Sequence, residues 1–285
     1  MTVADYVLPH SLPEAIDLLR RHGPRLLVMA GGTVAIPLIN EGISQPEIVM
    51  GLRRAGLDRF EATDGELRVG AMTTLTALTG RADLPLLAEA ARHKASWPIR
   101  NLATIGGNLF TPPPGGDVAV ALLALDAQVT ATGPRGERTL PIGDLWTGFM
   151  TTALASDELV TSIHVPIRSG QTAFHKFGRK AANTPAVVTV AAWLAWDGDR
   201  VTEARIALGA VGPHPIRARA AEAAIVGTPL GIDTIGAAAA AVVDEIEPFT
   251  DAIATDWYRR RVAPVVLRRA LDELAGRAAK EVAAG

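Results

Sequence analysis

The 285-residue chain contains no cysteine. That absence excludes disulfides, thiolate zinc sites and cysteine-ligated iron–sulfur clusters within this polypeptide. An excess of either charge is also lacking, since the formal net charge is −2, so there is no electrostatic reason to expect nucleic acid as a partner. Long apolar runs are missing too. Val118 to Leu125 and Ala186 to Trp196 are the longest, and both fall short of the ~20 residues a membrane helix requires. The N-terminal region carries Asp5 and Glu14 and shows no basic patch followed by an apolar block. A secretory signal is therefore not expected, and a cytoplasmic location is.

Several motifs are absent as well. No G-x-x-x-x-G-K-[ST] and no opening G-x-G-x-x-G occurs, which removes support for a P-loop or a Rossmann site. No H-E-x-x-H or G-x-S-x-G is found, and the histidines are scattered at 10, 22, 93, 164, 175 and 214. Neither a catalytic metal nor a serine hydrolase has positive support. Lysine is rare: Lys94, Lys176, Lys180 and Lys280 are the only ones among 28 basic residues.

What is present is a globular composition, 48% hydrophobic, and two glycine-rich turns. These are Ala30-Gly31-Gly32-Thr33 and Thr104-Ile105-Gly106-Gly107-Asn108. Neither contains Lys or Arg, so an anion held there would be held by backbone N–H groups and small hydroxyl or amide donors. The first lies between a predicted strand, Leu26 to Ala30, and a predicted helix, Val34 to Ile39, where N–H groups converge. Asp117 follows the second turn at the head of an apolar helix predicted to reach Asp126. A diphosphate gripped from two sides is one reading; an ordinary strand-to-helix turn and a plain helix cap are the others.

Elsewhere, Ser11 caps a helix with Glu14 reaching back and Gly23 stopping it. Further expectations are a strand over Leu67 to Ala71 and a helix over Leu84 to Arg92. Gln128 to Thr132 and Arg138 to Leu140 flank a hairpin turn at Gly133-Pro134-Arg135-Gly136. Past a linker at Ser169-Gly170-Gln171, strands over Ala186 to Trp196 and Val201 to Ala210 surround Asp197-Gly198-Asp199. Segments 217–226, 233–247 and 257–280 read as helices, which makes the class α+β. Trp193 and Trp196 are expected in the core of the second domain. Arg259-Arg260-Arg261 with Arg268-Arg269 reads as a solvated helix face or a docking face.

The two glycine turns resemble the flavin-binding signatures of the medium subunit of molybdenum hydroxylases, the family of xanthine dehydrogenase and aerobic carbon monoxide dehydrogenase. Val69-Gly70-Ala71-Met72-Thr73-Thr74, Gly116-Asp117, Glu158-Leu159-Val160 and Phe174-His175-Lys176-Phe177 match as well, in order along almost the whole chain. The resemblance implies a p-cresol methylhydroxylase-type FAD-binding domain of two α+β subdomains over 1–168. A C-terminal antiparallel sheet with helices over 171–285 would follow.

It further implies non-covalent FAD, with Met29, Ala30, Gly31, Gly32, Thr33 and Val34 wrapping the diphosphate. Thr104, Ile105, Gly106, Gly107 and Asn108 complete the cradle, and Asp117 accepts hydrogen bonds from cofactor hydroxyls. Val160 contributes a backbone contact to the flavin, or is a core valine of an edge strand. Lys176 lies near the pyrimidine end of the ring, where a cation raises the potential, or is a solvated strand charge. Electrons would arrive from [2Fe-2S] clusters on a small partner subunit, filled by a large molybdopterin subunit, in a dimer of heterotrimers. The rival readings are a stand-alone flavin oxidase or reductase on the same fold and a scaffold subunit that has lost FAD.

Overall fold

The computed structural model describes residues 3–63, 65–180 and 183–284. The chain opens with β1 (Asp5–Val7), α1 (Leu12–His22), β2 (Leu26–Met29), α2 (Ala35–Asn40) and β3 (Ile48–Gly51). Helix α1 is capped at both ends as its sequence predicts. Ser11 Oγ accepts the Glu14 N–H at 3.3 Å, and Glu14 Oε2 reaches back to the His10 N–H at 2.7 Å. Gly23 ends the helix at φ +52°. Ala15, Leu18 and Leu19 form its buried face, in one cluster with Leu26 and Met50 of a parallel sheet ordered β1-β3-β2.

Next come β4 (Phe60–Thr63), β5 (Glu66–Gly70), α3 (Leu75–Leu78), α4 (Pro85–Arg92), α5 (Trp97–Arg100), α6 (Ile105–Leu109) and α7 (Asp117–Ala124). Strands β6 (Gln128–Gly133), β7 (Gly136–Pro141), β8 (Trp146–Gly148), β9 (Thr151–Thr152) and β10 (Leu159–Pro166) follow. The antiparallel sheet runs β4-β5-β10-β6-β7, and Gly133 pairs with Gly136 to close the expected hairpin. Strand β10 is therefore the middle strand, which corrects the edge-strand reading of Val160. Its first five residues are all buried, as a strand hydrogen-bonded on both sides and covered on its faces requires.

The C-terminal part holds β11 (Gln171–Gly178), β12 (Ala186–Asp197), β13 (Arg200–Gly209), β14 (Ile216–Arg217), α8 (Arg219–Ile225), α9 (Ile232–Ala241) and α10 (Asp256–Ala284). The first four pair antiparallel in chain order. Strand β12 reads as continuous apolar sequence because both faces are covered. Val190, Ala192 and Leu194 pack with helices α8–α10, whereas Ala191 and Trp193 pack with α7 and the first core. Trp193 thus belongs to the first core, not to the second-domain core expected for it; Trp196 does pack against the second. Helix α7, buried along its whole length, is the shared layer between α4 and the C-terminal sheet. The α+β class holds, with helices segregated onto sheet faces.

The arginine cluster divides. Arg259 is fully buried, and its guanidinium binds the carbonyls of Val187 at 2.7 Å and Ala210 at 3.0 Å and the Asp251 carboxylate at 2.7 Å. Neither a solvated nor a docking role fits that residue; it ties the 251 loop to the ends of β12 and β13. The helical period that places Arg259 inward also places Arg261 outward over the exposed Trp257 ring.

Candidate functional site

Strand β2 runs into the first glycine turn, which lies flat against the segment that precedes the second. A Cβ built on Gly31 would come within 1.8 Å of the Leu102 carbonyl oxygen, so only glycine admits this contact. Gly32 adopts φ +73°, the left-handed region. On the other side, Ala30 Cβ lies 3.5 Å from where a Gly107 Cβ would be. The two turns, more than 70 residues apart, form one wall of one cleft.

They do different work there. In the second turn, which is the start of α6, the backbone N–H groups are already used. Ile105 donates to Thr73 O at 2.9 Å, Gly106 to Ala71 O at 2.9 Å, Gly107 to Thr104 Oγ1 at 3.0 Å and Asn108 to Thr104 O at 3.0 Å. Gly106 is needed because a Cβ would sit 2.7 Å from the Ala71 carbonyl. In the first turn, the N–H groups of Gly31, Gly32, Thr33 and Val34 make no hydrogen bond among the described residues. Four neighbouring donors without partners, in a loop with a left-handed glycine, form a nest for an anion. Among the described residues, unused backbone donors thus lie in the first turn and not in the second.

The second turn contributes a side chain instead. Helix α7 starts after Gly116, which has no side chain to cap it, and Asn108 Oδ1 accepts the Ala119 N–H at 3.1 Å in its place. That bond fixes the amide orientation. Asn108 Nδ2, a donor without a partner among the described residues, is left beside the cleft that the residue lines.

The cleft measures about 580 Å³, within the range of small-molecule sites. All six residues Met29 to Val34 line it, as do Thr104, Gly106, Gly107, Asn108 and Val160. Leu52, Met72, Ile99, Leu154 and Leu159 give it an apolar side. Three proposed site residues do not line it. The Ile105 side chain is fully buried in the first core. Asp117, 2% exposed, takes Lys176 Nζ on Oδ2 at 2.9 Å and the Thr189 hydroxyl on Oδ1 at 3.1 Å. The Lys176 side chain is 6% exposed, and its remaining contact is the His93 carbonyl at 3.4 Å. The two therefore pair with each other behind the wall.

Two charged residues that the sequence did not place among the site residues also line the cleft. Lys94 approaches Asp117 Oδ2 at 3.5 Å from the cleft side; its rarity was the one signal in the sequence. Glu158 is gripped by Arg138, Nε to Oε1 at 2.8 Å and Nη2 to Oε2 at 2.7 Å, and accepts the Ala155 N–H at 2.8 Å. The Arg138 hydrogen bond outweighs the effect of burial and pulls the carboxyl down to about 2. No three His, Asp or Glu side chains gather as a metal-ligand set among the described residues, and no described helix is long and apolar enough to cross a membrane.

Residues 2–168 match the family model described as the FAD binding domain in molybdopterin dehydrogenase. Residues 172–274 match the CO dehydrogenase flavoprotein C-terminal domain. By class the chain is a flavoprotein component of molybdenum-containing oxidoreductases. It belongs to the family of their FAD-binding medium subunits. It is 34% identical to the carbon monoxide dehydrogenase medium chain of Afipia carboxidovorans, over 96% of this chain and 97% of that one. It is 32% identical to the 6-hydroxypseudooxynicotine dehydrogenase complex subunit alpha of Paenarthrobacter nicotinovorans, over 96% and 95%. A solved carbon monoxide dehydrogenase from Hydrogenophaga pseudoflava, lacking the Mo-pyranopterin moiety of its cofactor, superposes with a TM-score of 0.93 at 32% identity, covering 97% of this chain and 98% of that chain.

The cleft suits the dinucleotide such a family binds. The nest of free amides answers a diphosphate, the Asn108 amide adds a neutral donor, and the apolar side answers a flat ring system.

Proposed function

We propose that the chain carries electrons through FAD in a molybdenum hydroxylase complex, taking them from the iron–sulfur clusters of a small subunit and passing them to an external acceptor. Bound FAD supplies a two-electron store that is filled and emptied in single steps. In this reading Met29 to Val34 hold the diphosphate, with Gly31 to Val34 donating from the backbone and Asn108 from its side chain. Thr104, Gly106 and Gly107 shape the wall, Val160 lies against the cofactor, and Ile105 holds α6 in the core. Asp117 and Lys176 act from behind as a charge pair and not as direct contacts. Residues 1–168 form the FAD-binding domain and 171–285 the domain that closes over α7.

The observation that carries the reading is the single cleft shared by both glycine turns, with four unused N–H groups in one of them. The chain has no cysteine to hold a cluster of its own, which supports clusters on a partner. A molybdopterin subunit completes the complex, as a dimer of heterotrimers in the cytoplasm. Denaturing the purified chain tests the first step: a released yellow dinucleotide supports it, and a colourless chain that cannot be reconstituted with FAD refutes it. Proteins that co-purify with the tagged chain, analysed for iron, sulfide and molybdenum, test the second.

A further inference from the structure

Two of the four lysines converge on one buried carboxylate. Asp117 Oδ2 lies 2.9 Å from Lys176 Nζ and 3.5 Å from Lys94 Nζ. Lys176 is committed inward, hydrogen-bonded to Asp117 and to the His93 carbonyl. Lys94 differs. Its side chain is 20% exposed and lines the cleft, and it makes no hydrogen bond from its ammonium among the described residues. One carboxylate cannot balance two ammonium groups, so the cluster presents a net positive charge at the cleft wall. The segment that carries Lys94 is fixed: Arg100 Nη1 donates to the carbonyls of Lys94 at 3.0 Å and Ala95 at 2.7 Å, and Ala95 stands at φ +51°.

We propose that Lys94 is the cation that faces the flavin ring, held at the wall by Asp117 with Lys176 behind it. The proposal rests on the reading of this cleft as the FAD site. The diphosphate has its own donors in the Gly31–Val34 nest, which leaves Lys94 for the ring, the portion that gains charge on reduction. Uptake of two electrons and one proton turns the neutral oxidised ring into a singly negative one. The electrons come from one-electron carriers of the partner, or from dithionite in a titration, and the proton from solvent. A fixed ammonium in a cleft whose lining also includes Ile99, Leu159 and Val160 favours the negative form and raises the potential.

The test uses the full chain loaded with FAD, as wild type, Lys94→Met and Lys94→Arg, with folding checked by circular dichroism and melting. Two quantities are read: the two-electron midpoint potential by spectroelectrochemistry and the Kd for oxidised FAD. Lys94→Met is expected to lower the potential with little change in Kd. A tenfold loss of preference for the reduced form reads as ~30 mV. Lys94→Arg, which keeps the charge, is expected to recover most of it, and Lys94→Gln substitutes should Lys94→Met not fold. A potential indifferent to both Lys94→Met and Lys94→Gln overturns the proposal, and a weakened Kd alongside it means that Lys94 holds a phosphate instead. A wild-type chain that takes up no FAD overturns the underlying reading of the cleft, and this proposal with it.

Discussion

The α-carbon of Gly31 is pressed against the carbonyl of Leu102, where a Cβ would lie 1.8 Å from the oxygen and 2.6 Å from the carbon. Both are backbone atoms of the segment leading into α6, so they cannot turn aside. Gly31→Ala must push the two glycine turns apart. The expected cost is about 2–3 kcal/mol, as for other overpacked sites, and a fall in melting temperature of roughly 5–10 °C. Gly107→Ala is the matched control. Its nearest neighbour is the Thr104 hydroxyl at 3.0 Å, and alanine favours the helix, so its cost stays under about 1 kcal/mol. Calorimetry of the purified variants checks both. Equal effects of the two substitutions would refute the contact as the reason for Gly31.

Asn108 caps α7 with its oxygen and lines the cleft, and two substitutions separate these roles. Asn108→Asp retains an acceptor for the Ala119 N–H and places a negative charge at a helix N-terminus, which that end tolerates well. It removes the amide donor and sets a carboxylate beside the diphosphate nest. Stability close to wild type with FAD binding weakened at least tenfold is expected. Asn108→Leu loses the cap and should cost about 1 kcal/mol in stability as well. Thermal melts paired with FAD titration distinguish the cases.

How much of this was legible in the sequence depended on the range of the interaction. Ser11 with Glu14 and the Gly133–Gly136 turn are local, and the structure reproduces them within a residue or two. The glycine turns were legible as turns, but the use of their donors was not. Gly106 gives its N–H to Ala71 and Ile105 gives its to Thr73, partners that only the tertiary fold brings near. The same limit explains Asp117, whose lysine is 59 positions away, and Arg259, whose carbonyl partners lie on β12 and just past the end of β13. The sequence reads Asp117 as a partner of cofactor hydroxyls or a helix cap and Arg259 as a solvated or docking charge; partners at long range turn both inward.

Asp126, just past α7, joins the two halves of the molecule. Its carboxylate takes Arg205 Nε at 2.5 Å and the Arg217 guanidinium, and Arg217 Nε also binds Glu222 at 2.7 Å. Burial alone would raise its pKa, but the two guanidinium groups outweigh that and hold it below the usual aspartate value. Asp126→Asn leaves both arginines, each 8% exposed, without their shared counter-charge. Removing one partner of a buried pair costs roughly 3–5 kcal/mol; Asp126 is partly exposed, so about 2 kcal/mol is expected here. The loss falls on the contact between the FAD-binding part and the C-terminal sheet. Calorimetry should therefore show one wild-type transition broadening or splitting into two, and a variant that melts like wild type refutes the linkage.

Glu158 gives the chain a defined sensitivity to acid. Its carboxyl stands at about 2 in the folded protein against an ordinary 4.5, through the hydrogen bond from Arg138. A depressed carboxyl stabilises the fold fully above the unfolded value and loses that contribution as the pH drops through the folded one. The contribution is therefore whole at neutral pH, declines below about 4.5 and is gone near 2. Glu158→Gln removes the charge at every pH. The variant should be less stable than wild type at pH 7, and the difference should shrink steadily as the pH is lowered through that window. Urea unfolding at a series of pH values measures the difference directly. A gap that stays constant from pH 7 to pH 2.5 would show that the Arg138 pair is not its source. Because Glu158 lines the cleft just before β10, FAD release measured over the same window should follow the same curve.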